Sequence, residues 1–226
     1  TDPEGVWRGR EEPYADGKTV PGAHRGAPCA RGLHAGDPRG EVARSQHHDA
    51  LRGSLRQPEP ERRFFTTLEA DGTIGAAYTD DEAFWRVVET RSPDQCWYAV
   101  GLPFCLGVIL WDATGDARFR RIADWYFSFQ SRCVNAWEGG SSGKAGWGCA
   151  MMYRITGETK YRDVALRVAS KIASWQHANG GWYLGARSAY GADGSPTPAP
   201  SDFDVVAEFA LWLQLIGENL LARDLA

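Results

Sequence analysis

At 226 residues with a formal net charge of −4, the chain can bury a sizeable core and carries no basic excess, which argues against nucleic acid as a partner. Five cysteines, odd in number, irregularly spaced and without a C-x-x-C pair, argue against a disulfide framework or a Cys/His zinc site and fit free thiols in a reducing cytoplasm. No uninterrupted run of eighteen apolar residues and no charged-then-apolar N-terminus occur, so neither a transmembrane helix nor a signal peptide is expected.

Residues 1–62 hold nine Gly, seven Pro and nine Arg but no Ile, Phe or Met. Such a segment cannot bury enough apolar surface to offset the entropy of ordering its backbone, so an irregular region is expected there. The pair His47–His48 beside Asp49 reads as chance in these surroundings rather than a metal site. From Arg63 onward the texture becomes that of a folded domain spanning 63–226. The stretch 64–78 reads as a short strand and turn, and Asp81 to Thr90 as a short amphipathic helix. Ser92-Pro93-Asp94 predicts a helix start, with Ser92 or Asp94 as cap and Pro93 in the first turn. The helix that follows, Cys96–Trp111, is apolar nearly all round and is expected to be buried on all faces. Pro103 should kink it or mark its true beginning.

Ala113-Thr114-Gly115-Asp116-Ala117-Arg118-Phe119 recurs as Ile155-Thr156-Gly157-Glu158-Thr159-Lys160-Tyr161, 42 residues on. Each copy ends an apolar helix with a glycine suited to a left-handed cap, then places an acidic residue at the next helix start. Phe119, Ile122, Ala123, Tyr126 and Phe127 keep helical spacing, as do Tyr161, Val164, Ala165, Val168, Ile172 and Trp175. A fainter third copy is read at Ile216-Gly217-Glu218. The pattern predicts an all-α fold of stacked helical hairpins. Six hairpins would close a ring and about three are present, so the chain reads as an incomplete α/α toroid. It would then be a fragment, a shortened relative, or an open half that pairs with another copy.

Gln176-His177-Ala178-Asn179-Gly180-Gly181-Trp182 fits the Q-x-x-x-G-x-W repeat and, with the hairpin from Gly146 to Trp182, resembles the superfamily of class II terpene (squalene) cyclases and six-hairpin glycosidases. The resemblance implies an α/α toroid in which Gln176 and Trp182 tie neighbouring hairpins together. The cyclase acid lies in an Asp-x-Asp-Asp string. Asp202-Phe203-Asp204 supplies three of its positions, with Val205 at the fourth, and Tyr78-Thr79-Asp80-Asp81 departs at the first.

Asp204 and Glu208 are four apart and share one helical face. If that face lines a cavity, mutual repulsion and burial would separate their pKa values into an acid and a base, with Asp202 beside them. Alternatively Ser201 or Asp202 caps the helix and Asp204 suits its dipole. The loop Trp137–Trp147 departs from a phosphate-binding loop at Glu138 and Ala145, and no strand precedes it. Its residues Trp137, Glu138, Lys144 and Trp147, with Asp94, Trp97 and Tyr98 at the preceding apolar helix, are candidate substrate contacts. Plain turn chemistry accounts equally for the glycines. His177 has no second histidine in the folded part to work with, so it reads as a helix-end residue.

Three functions follow as expectations. The first is a terpene-cyclase-like toroid in which Asp204 protonates an apolar, isoprenoid substrate among Trp and Tyr faces. The second is a carbohydrate-active toroid in which aromatics stack sugars and carboxylates such as Asp204 and Glu138 share acid and base roles. The third is a non-catalytic helical-repeat binding module. No cofactor or metal is implied by any of them.

Overall fold

The computed structural model describes residues 56–183, 189–190, 196–197 and 200–225. The first 55 residues, including His47, His48 and Cys29, and most of the 186–200 linker lie outside the described residues. Two short strands open the domain. β1 (Arg63–Phe65) pairs antiparallel with β2 (Val87–Glu89), placing Phe64 opposite Val88. A turn at Gly72 and a Leu68–Ile74 bridge lie between them, matching the strand and turn expected there. Gln57 belongs to this unit although composition assigned it to the irregular segment. Its side chain is buried and bonds the Phe65 backbone twice, accepting from N–H at 2.8 Å and donating to the carbonyl at 3.1 Å.

The helix expected over 81–90 is much shorter. Only α1 (Ala83–Arg86) is helical, and the chain then straightens into β2. Val87 and Val88 decide this: both are β-branched and buried against the Phe64–Phe65 strand, and that pairing outweighs a weak helical spacing.

The next helix also starts later than Ser92-Pro93-Asp94 indicated. α2 spans Tyr98–Thr114. Asp94 adopts a left-handed backbone (φ 54°), which no helical turn accepts. The Gln95 amide folds back on Glu89, accepting from its N–H and donating to its carbonyl at 2.6 Å each, while the Ser92 hydroxyl donates to the Glu89 carboxylate. Pro103 therefore lies inside α2, in its second turn.

The 42-residue repeat is a repeat of structure. α2 ends at Gly115 (φ 67°), whose N–H bonds the Trp111 carbonyl, and Asp116 caps α3 (Ala117–Ser131) by accepting from the Arg118 N–H. α4 (Gly143–Thr156) ends at Gly157 (φ 74°) on the Tyr153 carbonyl, and α5 (Thr159–Ser174) begins beside Glu158. The two glycines take the conformation that L residues avoid. A two-residue ladder, β3 (Ala189–Tyr190) with β4 (Pro196–Thr197), precedes α6 (Pro200–Asp224). The third copy expected at Ile216-Gly217-Glu218 is absent, because α6 runs unbroken through Gly217. Its end lies beside the end of α4, where the Tyr153 hydroxyl donates to Asp224 at 2.8 Å.

The architecture is all-α in two layers. α2, α4 and α6 lie side by side, with α3 and α5 behind them. One continuous core joins Phe104, Val108, Phe119, Ile122, Tyr126 and Phe129 of the first hairpin to Met152, Tyr161, Val168 and Ile172 of the second and to Trp212 and Ile216 of α6. Arg154 of α4 joins its neighbours at one level, reaching Asp112 of α2 and Asn219 of α6. Trp182 is buried, donates from Nε1 to the Ile172 carbonyl at 2.8 Å and packs edge-on against Phe209 of α6. Among the described residues Gln176 bonds within its own turn, to the Gly180 carbonyl, while Trp182, together with Trp175 stacked on the same Phe209, reaches the next helix.

One expectation about exposure needs correction. α2 is not covered on every face, since Leu102 is 52% exposed and Leu106, Ile109 and Leu110 are half-buried. α6 is long and apolar enough to cross a membrane by length and composition, with only 22% of the qualifying window buried. Gln214 and Glu218 interrupt that window, which is why no unbroken apolar run marks it.

Cys96, Cys105, Cys133 and Cys149 are free and buried. Burial raises the thiols of Cys96 to about 11 and of Cys105 and Cys133 to about 12, and Cys149 well above its ordinary value. Unfolded thiols ionise near roughly 8.5. Their contribution to stability is therefore whole below that pH and is lost as the pH rises toward the folded values. The urea midpoint is expected to fall between roughly pH 8.5 and 10. A midpoint flat across that range would mean the thiols are not shielded.

Candidate functional site at the heads of α2, α4 and α6

The loop before α4 is fastened to the head of α2. Gly140–Ser142 forms a single 3-10 turn, the Ser142 hydroxyl donates to the Ala136 carbonyl, and Ser141 Oγ accepts from the Trp97 N–H at 3.1 Å. This fixes Lys144, in the first turn of α4, between the other two front helices. Its Nζ lies 3.2 Å from Glu208 Oε1 of α6, 4.6 Å from the Trp212 ring centroid and 5.8 Å from that of Tyr98 on α2. Tyr98 is half-buried, with Trp85 6.1 Å away, ring to ring. Three successive front helices thus meet in a single cluster, α2 supplying Tyr98, α4 Lys144, and α6 both Glu208 and Trp212. An ammonium beside aromatic faces, paired with a carboxylate at an open rim, can hydrogen-bond hydroxyls while a ring stacks alongside.

The candidate residues are distributed differently from their spacing. Trp97 is 1% exposed and Trp137 8% exposed; Trp137 stacks on Phe127 at 6.0 Å, so both rings serve the core rather than a ligand surface. Glu138 pairs with Arg167 and Lys171 of α5 in the rear layer. Trp147 is half-buried against the core. Asp204 and Glu208 are both exposed, so the pair does not line an enclosed cavity. Asp202 lies in the first turn of α6, and its side chain is outside the described residues. His177 is exposed with its ring edge-on to Tyr183.

Spacing did not single out Trp212, because it reads as one more core position of an apolar helix. It also gave no sign of a groove of roughly 440 Å³ in the rear layer, lined by Arg120, Asp124, Phe127, Arg132, Lys160 and Tyr161. These residues come from two helices about forty residues apart, and each i,i+4 pair alone looks like a solvated face. Arg120 bonds Asp124 and Glu158 at 2.9 Å, and hydrogen bonds from Lys160 and Arg120 hold the Glu158 carboxyl below its ordinary value. The Tyr161 hydroxyl donates to Asp124 at 3.0 Å. With its charges matched internally, the groove offers a ligand little unspent polarity.

No family model matches the chain, and no curated protein or solved structure matches it.

Proposed function

We propose that the two-layer array is an arc of an α/α toroid and that the heads of α2, α4 and α6 bind a carbohydrate, with Glu208 and Asp204 as the carboxylates available for acid–base chemistry. One observation carries this reading: Lys144 stands between Tyr98 and Glu208, so a ring face, a cation and a carboxylate meet at one open rim. Sugars suit such a place, because they offer hydroxyls to charged groups and a C–H face to an aromatic ring. An isoprenoid needs a dry, enclosed pocket, and protonating an alkene needs an acid kept neutral by burial. The exposure of Asp204 weighs against that alternative, although the Gln176–Trp182 turn favours it by resemblance.

The test is a titration followed by tryptophan fluorescence and calorimetry, using neutral and uronic-acid oligosaccharides beside polyprenyl alcohols and their diphosphates. Saccharide binding is expected, weakened about tenfold, or ~1.4 kcal/mol, by Tyr98→Ala and by Lys144→Ala. Binding of only the polyprenyl compounds would transfer the site to the isoprenoid reading. Silence in every titration would leave a helical-repeat module that binds something other than a small molecule.

A further inference from the structure

The contacts between front-row helices follow one rule. Gly101 of α2 meets Ala145 of α4 much as Gly143 of α4 meets Trp212 of α6; Phe104 meets Gly148 as Gly146 meets Ile216. Each helix therefore presents one flank to the helix before it and a different flank to the helix after. α4 uses both. Among the described residues α2 and α6 each have one left over, and the repeat identifies which residues form it.

On α2, the positions matching Ala145, Gly148 and Met152 of α4 are Pro103, Leu106 and Leu110, which with Ala99 form an unbroken apolar strip, only half-buried. On α6, the side turned away from α4 carries Ala210, Gln214, Gly217 and Leu221. Leu221 is 61% exposed, and a Cβ at Gly217 would meet nothing within 4 Å. The first strip is of the kind that follows a front helix, and the second of the kind that precedes one.

We infer that a second copy of this chain occupies both flanks, α6 of one copy packing against α2 of the other in the manner of α4 against α2. The contact is head-to-tail, so two copies satisfy both flanks at once about a two-fold axis. Six front-row helices then stand in one closed ring, four of them backed by a rear-layer helix among the described residues. One helix-on-helix seam lies at the small end of stable interfaces, and closure doubles it. A bilayer is the competing occupant of α6. The Gln214–Glu218 hydrogen bond sits in the middle of the exposed side, where hydrocarbon would penalise it. The closed ring rests on the toroid reading, but the measurement below reads mass and is blind to ligand. A failed titration and a failed association are therefore separate results.

The experiment is light scattering behind size exclusion, with sedimentation velocity, on the full 226-residue chain across a hundredfold concentration range. Leu106→Glu and Leu221→Glu are made separately, and far-UV circular dichroism checks that each keeps its helix content. Wild type is expected at twice the monomer mass and each variant at the monomer mass. An equimolar mixture of the two variants should recover association, because one intact seam survives between them. A monomeric wild type overturns the inference. So does a dimer that ignores Leu221→Glu, which would mean a symmetric α2–α2 contact. Flotation of wild type with phosphatidylcholine–phosphatidylglycerol vesicles, abolished by Leu221→Glu, would assign the α6 flank to a bilayer instead. Should either variant lose helix content, Leu106→Gln and Leu221→Gln are read by the same criteria.

Discussion

Trp97→Ala is expected to lower the unfolding free energy by about 3–5 kcal/mol, the usual range for emptying a fully buried large aromatic site. Trp97 is 1% exposed and its ring lies against Gly139, so it joins the head of α2 to the loop that enters α4; the backbone N–H that donates to Ser141 Oγ is kept in the alanine variant. Loss of the ring opens a cavity under the site without removing a group that faces solvent. In urea melts the midpoint should fall steeply with little change in slope. A midpoint near wild type, accompanied by a large loss of saccharide affinity, would instead return Trp97 to the ligand surface.

The second large effect is expected at Gly143. A Cβ there would run into the Trp212 ring, and neither the ring nor the first turn of α4 can withdraw without disturbing the α4–α6 seam. Gly143→Ala gains a little helix propensity, worth at most about 1 kcal/mol. Overpacking should outweigh it and leave a net loss of about 1–3 kcal/mol. Because Trp212 also flanks Lys144, its displacement should alter tryptophan emission in the native state. A variant as stable as wild type, with unchanged emission, would show that the seam has slack.

These effects also mark where the sequence was legible. The hairpins could be read because Gly115 and Gly157 state their own caps and the apolar positions of α3 and α5 keep strict helical spacing. Local chemistry was enough for those. It failed where a distant strand decided the outcome, as when Val87 and Val88 left a helical pattern to pair with Phe64. It failed again at Asp94, whose left-handed backbone sits between Ser92 and Gln95, both bonded back to Glu89 in a way that spacing does not reveal. Gly217 looked like the glycine of a cap but sits within an unbroken helix, whose last residue, Asp224, accepts from the Tyr153 hydroxyl of α4. At the site, positions were easier to infer than exposure. Tyr98, Lys144 and Glu208 were all visible as candidates, yet nothing local distinguished Tyr98, at the rim, from Trp97, its buried neighbour.

The Arg154 connection to Asp112 and Asn219 has a consequence for how the helices keep their places. The faces joining α2, α4 and α6 seat Phe104, Trp212 and Ile216 against Gly148, Gly143 and Gly146, so large side chains already resist a slide by one turn. A partly exposed ionic link contributes little net stability. It is, however, intolerant of displacement: moving α4 by one turn would strand the guanidinium away from both partners at once. Arg154 thus works as a detent, adding a polar check to the alignment that the seated side chains already favour.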